Sequence, residues 1–260
     1  MGAVSLPSVA AIGRGLSTNA AIRAIGIVVA LASEAKTLTS HAATPGSITA
    51  LTNGAALCIS GMGPKAARHT AEALVTAGAT ALAVFGVAGA LNDQLHNGAL
   101  FCPERVLDDE GRAYVTDSTW RASLQQQLTA APAPLHMEGA LLSVTSPLLT
   151  SAAKRAAHQH YTAFAVDMES AAVAAIAQEH GLPFVVLRAI VDEVNDAIPE
   201  ALNGSVDAWG RPRPWRLMVA FCQQPSLVRE LPRLYSRMQR ATQALRAAAE
   251  ATGPTLGWHR

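Results

Sequence analysis

Apolar residues in this chain gather into short runs separated by small and polar residues. The clearest cover positions 25–31, 55–60, 80–85, 99–107, 140–144, 163–166 and 184–190. Runs of this length, rich in Val, Ile, Leu and Ala, predict buried strands. Several of the intervals carry a helical period instead. Positions 64–77 begin with Pro64, which suits a first helical turn. Ser151 caps a short helix to 158, and 170–180 is an alanine-rich helix closed by Gly181. Near the end, 216–222 and 226–249 read as helices. The second places Leu227, Val228, Leu231, Leu234, Tyr235, Met238 and Leu245 on one stripe, with Arg229, Arg233, Arg237 and Arg240 between them. Strands alternating with helices predict an α/β domain, in which ligands sit beyond the carboxyl ends of strands.

Length fits this picture, since 260 residues can bury a large core as one domain. Half the residues are hydrophobic, which excludes global disorder. The formal charge of +1 gives no electrostatic case for nucleic acid. It conceals an asymmetry, however: positions 204–260 hold nine arginines against Asp207, Glu230 and Glu250, so the body is acidic and the tail basic. Cys58, Cys102 and Cys222 are widely spaced, as buried thiols of a reducing, cytoplasmic compartment would be. No run reaches the roughly 18 apolar residues of a membrane span. The expected organisation is a flexible leader over 1–22, an α/β domain over 23–200 and a basic helical extension over 201–260 packed on the same domain.

Candidate chemistry concentrates where strands end. Asp167, Met168 and Glu169 follow the run 163–166, and Asp192 follows a run that contains Arg188. A carboxylate can accept from two vicinal hydroxyls at once, and cleavage of an N-glycosidic bond needs an acid beside the departing nitrogen. The bland alternatives are a helix start for Glu169 and a cap for Asp192. Gly61-Met62-Gly63-Pro64-Lys65-Ala66 has a dinucleotide-binding spacing, yet the acid required about 20 residues on is missing, so the glycines are read as a tight turn. His158 and His160 have no third ligand nearby, so no metal is expected.

Asp-Met-Glu-Ser at 167–170, with Leu-Pro-Phe-Val-Val-Leu-Arg-Ala-Ile-Val-Asp at 182–192, resembles the signature of the nucleoside phosphorylase and nucleosidase family. The resemblance implies a single-domain, three-layer α/β/α sandwich around a mixed central sheet. It also implies that Met168 and Glu169 hold ribose, that Asp192 protonates the leaving purine and that Arg188 orients the neighbouring acids, Asp167 among them. Glu34, by its spacing from Ile25, matches the glutamate that activates water in the nucleosidase branch. Gly86-Val87-Ala88-Gly89-Ala90-Leu91 resembles the family's small-residue loop, with Val87 where a phosphate-holding hydroxyl is usual. Leu149 is at the place of the residue covering the purine. No cofactor is implied; phosphate is a co-substrate in phosphorolytic members, with Arg68 or a neighbouring subunit's arginine available as an anion site.

The tail, Gln-Pro-Ser-Leu-Val-Arg-Glu-Leu-Pro-Arg-Leu at 224–234 followed by more arginines, is similar to the hopanoid-associated phosphorylases. That resemblance implies adenosylhopane, a lipid-linked nucleoside, as substrate, and a homo-oligomer. The basic helix then either packs on the body with its arginines in water or lies against the inner membrane surface as a peripheral contact. Water and phosphate both stay open as nucleophile, and the alternatives are a methylthioadenosine/adenosylhomocysteine-type nucleosidase and a non-catalytic nucleoside-binding module on the same fold.

Overall fold

A computed structural model describes residues 24–197, 207 and 227–259. The leader at 1–22, the helix expected at 216–222 and Cys222 lie outside the described residues. Eleven strands form one mixed sheet. In chain order they are β1 Ile25–Val29, β2 Ile48–Ala50, β3 Ala56–Ile59, β4 Ala81–Ala90, β5 Leu100–Phe101, β6 Arg105–Leu107, β7 Ala113–Val115, β8 Leu135–His136, β9 Ala140–Ser143, β10 Ala163–Asp167 and β11 Phe184–Asp192. The described helices are α1 Ala32–Leu38, α2 Pro64–Thr76, α3 Ser118–Leu128, α4 Ser151–Tyr161, α5 Ser170–Glu179 and α6 Leu227–Thr252.

Strand β4 is the spine. It pairs in parallel with β1 and β11, and its far end pairs antiparallel with β10. Alternation along β4 separates two apolar layers: Leu82, Val84 and Ala88 face one, Ala81, Ala83 and Phe85 the other. Helices α2 and α5 cover the first face through Ala67, Ala71, Leu74, Val173 and Ile176. Ala35 of α1, Trp120 and Leu124 of α3, and Ala241, Leu245 and Ala248 of α6 cover the second. The result is the three-layer sandwich expected from the family resemblance. It forms because the central strands β1, β3, β4 and β11 are apolar on both faces and must be covered twice.

Three expectations change. Positions 86–91, read as a loop, continue β4 to Ala90, because β11 pairs with it from Phe184 through Asp192 and β10 closes its other edge. The run 99–107 is two strands, since Cys102 and Pro103 break it and proline lacks the N–H a ladder needs. The third change is at α4, where Thr150 rather than Ser151 is the cap and its hydroxyl accepts from the Ala153 amide at 3.1 Å. Helix α3 had no counterpart among the expected elements; Asp117 caps it by accepting from the Trp120 amide at 2.8 Å.

Candidate active site

Four carboxylates converge at one end of the sheet. Glu34 is in the first turn of α1, Asp167 ends β10 and Glu169 stands just before α5, and Asp192 ends β11. All four line one cavity of about 250 Å³, together with Met168, Val87, Ala88, Gly89, Lys154 and an apolar wall that includes Met62, Val144, Pro147, Leu148 and Val191. Leu148 lines it and Leu149 is not among the lining residues, a one-residue shift of the expected lid. Arg188 lies behind the wall, fully buried, so the structure makes it a supporting residue and not a substrate contact.

Arg188 organises the acids. Its Nε donates to Asp167 Oδ2 at 3.0 Å, and its Nη2 pairs with the same oxygen and, at 3.3 Å, with Glu169 Oε2. Asp167 has no capacity to spare for a ligand. Its Oδ1 accepts from Ser143 Oγ at 2.7 Å and from the Ser170 amide at 3.2 Å, while Oδ2 also takes the Ser170 hydroxyl. Asp167 therefore fixes Arg188 and the start of α5 from its place on the cavity wall.

Glu169 is held by a turn from a distant part of the chain. Its Oε1 accepts from the Gly63 amide at 2.8 Å. Gly63 has φ 99°, a conformation that glycine adopts without the steric cost of a Cβ. The glycine-rich turn at 61–63 thus serves the Glu169 carboxylate. Burial pushes the Glu169 carboxyl up to about 7, against the opposing pull of Arg188.

Glu34 is in the first turn of α1 and is buried. One oxygen accepts from the amides of Ala30 and Leu31 at 2.9 and 2.8 Å and so closes the start of α1. The other oxygen accepts from the Val87 amide at 2.8 Å. Burial raises its pKa, and Arg188 and the three amides act to lower it. The carboxylate fits only because position 86 is glycine: a Cβ there would lie 2.3 Å from Glu34 Oε1 and 2.7 Å from Arg188 Nη1.

Asp192 meets Gly89 across the β4–β11 ladder, where a Cβ would approach its Oδ2 to 3.0 Å. Its carboxylate pairs with Lys154 of α4, a lysine only 1 % exposed that the sequence reading did not single out. Along the chain it stands beside Arg155 in a polar helix and carries no signal that sets it apart. Burial raises the Asp192 pKa and the Lys154 ammonium opposes the rise.

Arg68 is not available for an anion. It pairs with Glu72 at 3.1 Å and with Glu179 at 2.9 Å on the surface. His158 and His160 stand on α4, not on a strand, and His158 Nδ1 lies 2.7 Å from the Ala163 carbonyl. Among the described residues no three His, Cys, Asp or Glu side chains cluster as a metal site would require. No described helix is long and apolar enough to cross a membrane.

An α/β/α sandwich of this topology, with a buried glutamate after β10 and an aspartate at the end of β11 on opposite sides of β4, fits the class of nucleoside phosphorylases and nucleosidases. The chain belongs to the phosphorylase superfamily, whose family model matches residues 24–209. No curated protein sequence matches it. Among solved structures it is similar to the futalosine hydrolase of Helicobacter pylori strain 26695, at 20 % identity and TM-score 0.62 over 88 % of this chain and 98 % of that one. The H. pylori 5′-methylthioadenosine/S-adenosylhomocysteine nucleosidase with butyl-thio-DADMe-Immucillin-A is similar at 18 % identity, TM-score 0.62 and the same coverage. The S. pneumoniae nucleosidase of that name, with the transition-state inhibitor MT-ImmA, shares 20 % identity and TM-score 0.62 over 88 % of this chain and 99 % of that one.

Proposed function

We propose that the protein hydrolyses the N-glycosidic bond of an adenosine bearing an apolar 5′ substituent and releases adenine. The observation that carries this reading is that Glu34, Glu169 and Asp192, supplied by three separate elements, face one cavity. Asp192 gives a proton to the departing base. Glu169 accepts from the ribose hydroxyls and opposes the positive charge that grows on the sugar, with Met168 beneath the ring. Glu34 takes a proton from the attacking water, and the departing base carries away the bond electrons.

Water is favoured over phosphate on electrostatic grounds. The cavity wall holds four carboxylates and one ammonium, and that ammonium is committed to Asp192. A phosphate dianion would enter against this field, and Arg68 is already paired. The similar structures bear the names of a hydrolase and of nucleosidases. An apolar 5′ group suits Met62, Val144, Pro147 and Leu148. The tail resemblance extends the reading to adenosylhopane, in hopanoid biosynthesis, as the substrate.

The test incubates purified protein with adenosine, methylthioadenosine and a 5′-alkylated adenosine, each with and without phosphate. Adenine release that is fastest for the alkylated compound and indifferent to phosphate is expected. Strict phosphate dependence would replace the nucleophile, and retention of nucleoside without any release would make the chain a binding module.

A further inference from the structure

Lys154 Nζ has three acceptors around it: Asp192 Oδ2, the Glu193 carbonyl at 2.9 Å and the Asp196 carbonyl at 3.1 Å. Only an ammonium has three protons to give, so this buried group is charged and holds one oxygen of the Asp192 carboxyl group. All three acceptors belong to the segment that leaves β11. The position of the ammonium is thus set by whatever holds that segment.

What holds it is α6. The Asp196 side chain is buried, and its Oδ1 accepts from Arg233 at 3.2 Å and from Arg237, while Oδ2 accepts from the Glu193 amide at 2.9 Å. Asn97 adds a second tie, with its Nδ2 3.0 Å from the Ile190 and Val191 carbonyls and 3.1 Å from that of Arg237. A continuous chain of charged and polar contacts therefore runs from the basic helix to the acid of the site. The arginine stripe, read from sequence as solvated or membrane-facing, here has two members turned onto one buried aspartate.

We infer that Arg237 and Arg233, acting through Asp196 and Lys154, are positioning residues that aim Asp192 at the leaving base and stabilise its carboxylate as the proton departs. The inference rests on the proposed reaction. The groups acting on Asp192 are Lys154 from α4, Asp196 from the segment after β11 and Arg237 from α6; Glu34 and Glu169 share the cavity, and Arg233 and the Glu193 amide meet Asp196. Of these, Lys154 and Arg237 make Asp192 a stronger acid, and Asp196 makes it a weaker one. When the base takes the proton, Asp192 is left as an anion beside an ammonium already in place. No reorganisation is then needed at that moment, which is how fixed charges lower a barrier.

The experiment uses the full chain and compares Lys154→Met, Arg237→Met, Arg237→Lys and, as a control exposed on the same helix, Arg246→Met. Rates of adenine release from methylthioadenosine are followed against pH, alone and in an Asp192→Asn background. Expected are a kcat loss of about a hundredfold for Lys154→Met and about tenfold for Arg237→Met. In both, the descending alkaline limb should move to higher pH, because a weaker acid keeps its proton longer. Arg237→Lys should recover most of the loss, and Arg246→Met should match the parent. In the Asp192→Asn background Arg237→Met should cost nothing further. A lower melting temperature with an unmoved limb, or a full additional loss in that background, overturns the inference. Should the parent release no adenine, the proposed reaction fails on its own. The inference is then read from the carbon-13 titration of the Asp192 carboxyl: a higher midpoint in Arg237→Met upholds the coupling, and an unchanged one refutes it.

Discussion

The amide of Gly63 donates to the carboxylate of Glu169 at 2.8 Å across 106 positions of sequence. Two features that look unrelated along the chain, a glycine turn of dinucleotide-binding type and an acid after a strand, are one device. The turn brings a fixed N–H to a buried glutamate, and Arg188 supplies the compensating charge from the other side. Removing either support leaves a carboxylate in an apolar surrounding.

Glu169 titrates at about 7, and burial is the main cause. A carboxyl group with a folded value above its unfolded 4.5 binds more protons in the native state across that interval. Its contribution to stability is thus most favourable below about pH 4.5 and falls as pH rises through about 7. Burial raises Glu34 and Asp192 too, so both act in the same direction. Melting temperatures measured from about pH 5 to about pH 8 should show Glu169→Gln gaining on the parent as pH rises. Activity should run the other way, rising through about pH 7 as Glu169 ionises, because only the anion opposes charge on the sugar.

Glu34→Gln removes the base and gives the Val87 amide an N–H to face where it had an acceptor. Adenine release should fall by about 10²–10⁴ while binding of a nucleoside analogue, measured by calorimetry, is largely kept. Equal loss of binding and turnover would assign Glu34 to capping α1 alone.

Arg188→Met strands Asp167 and Glu169 as buried anions without a counter-charge. Breaking a buried pair of this kind costs about 3–5 kcal/mol, and urea unfolding at pH 8 should show a loss on that scale. At lower pH the loss should shrink, since Glu169 then carries a proton.

Leu148→Ala should raise KM for a 5′-alkylated adenosine several-fold, whereas Leu149→Ala should leave it near the parent value. Only the first side chain lines the cavity. The comparison tests the one-residue displacement of the lid from the position that the family pattern implied.

Much of this protein was legible along the chain. Runs of Val, Ile and Leu marked β1, β3, β4 and β11, and the Asp-Met-Glu and Arg-Ala-Ile-Val-Asp patterns located the two acidic strand ends. The extension of β4 through 86–90 was not legible. Small residues there suit a loop or a doubly paired strand equally, and the choice is made by β10 and β11 on its two edges. Helix α3 escaped notice because only Trp120, Leu124 and Leu128 of its apolar face are buried, against a polar background.

Sequence by itself determined the layered α/β architecture, since hydrophobic periodicity is a property of short segments, and through the family resemblance it singled out Glu34, Glu169 and Asp192, which line one cavity. Tertiary structure alone decided what surrounds those acids. Lys154 reaches Asp192 over 38 positions, Gly63 reaches Glu169 over 106, and Arg237 reaches Asp196 over 41. Buried charges must find partners wherever the folded chain offers them, and that requirement leaves no mark at any fixed spacing in the sequence.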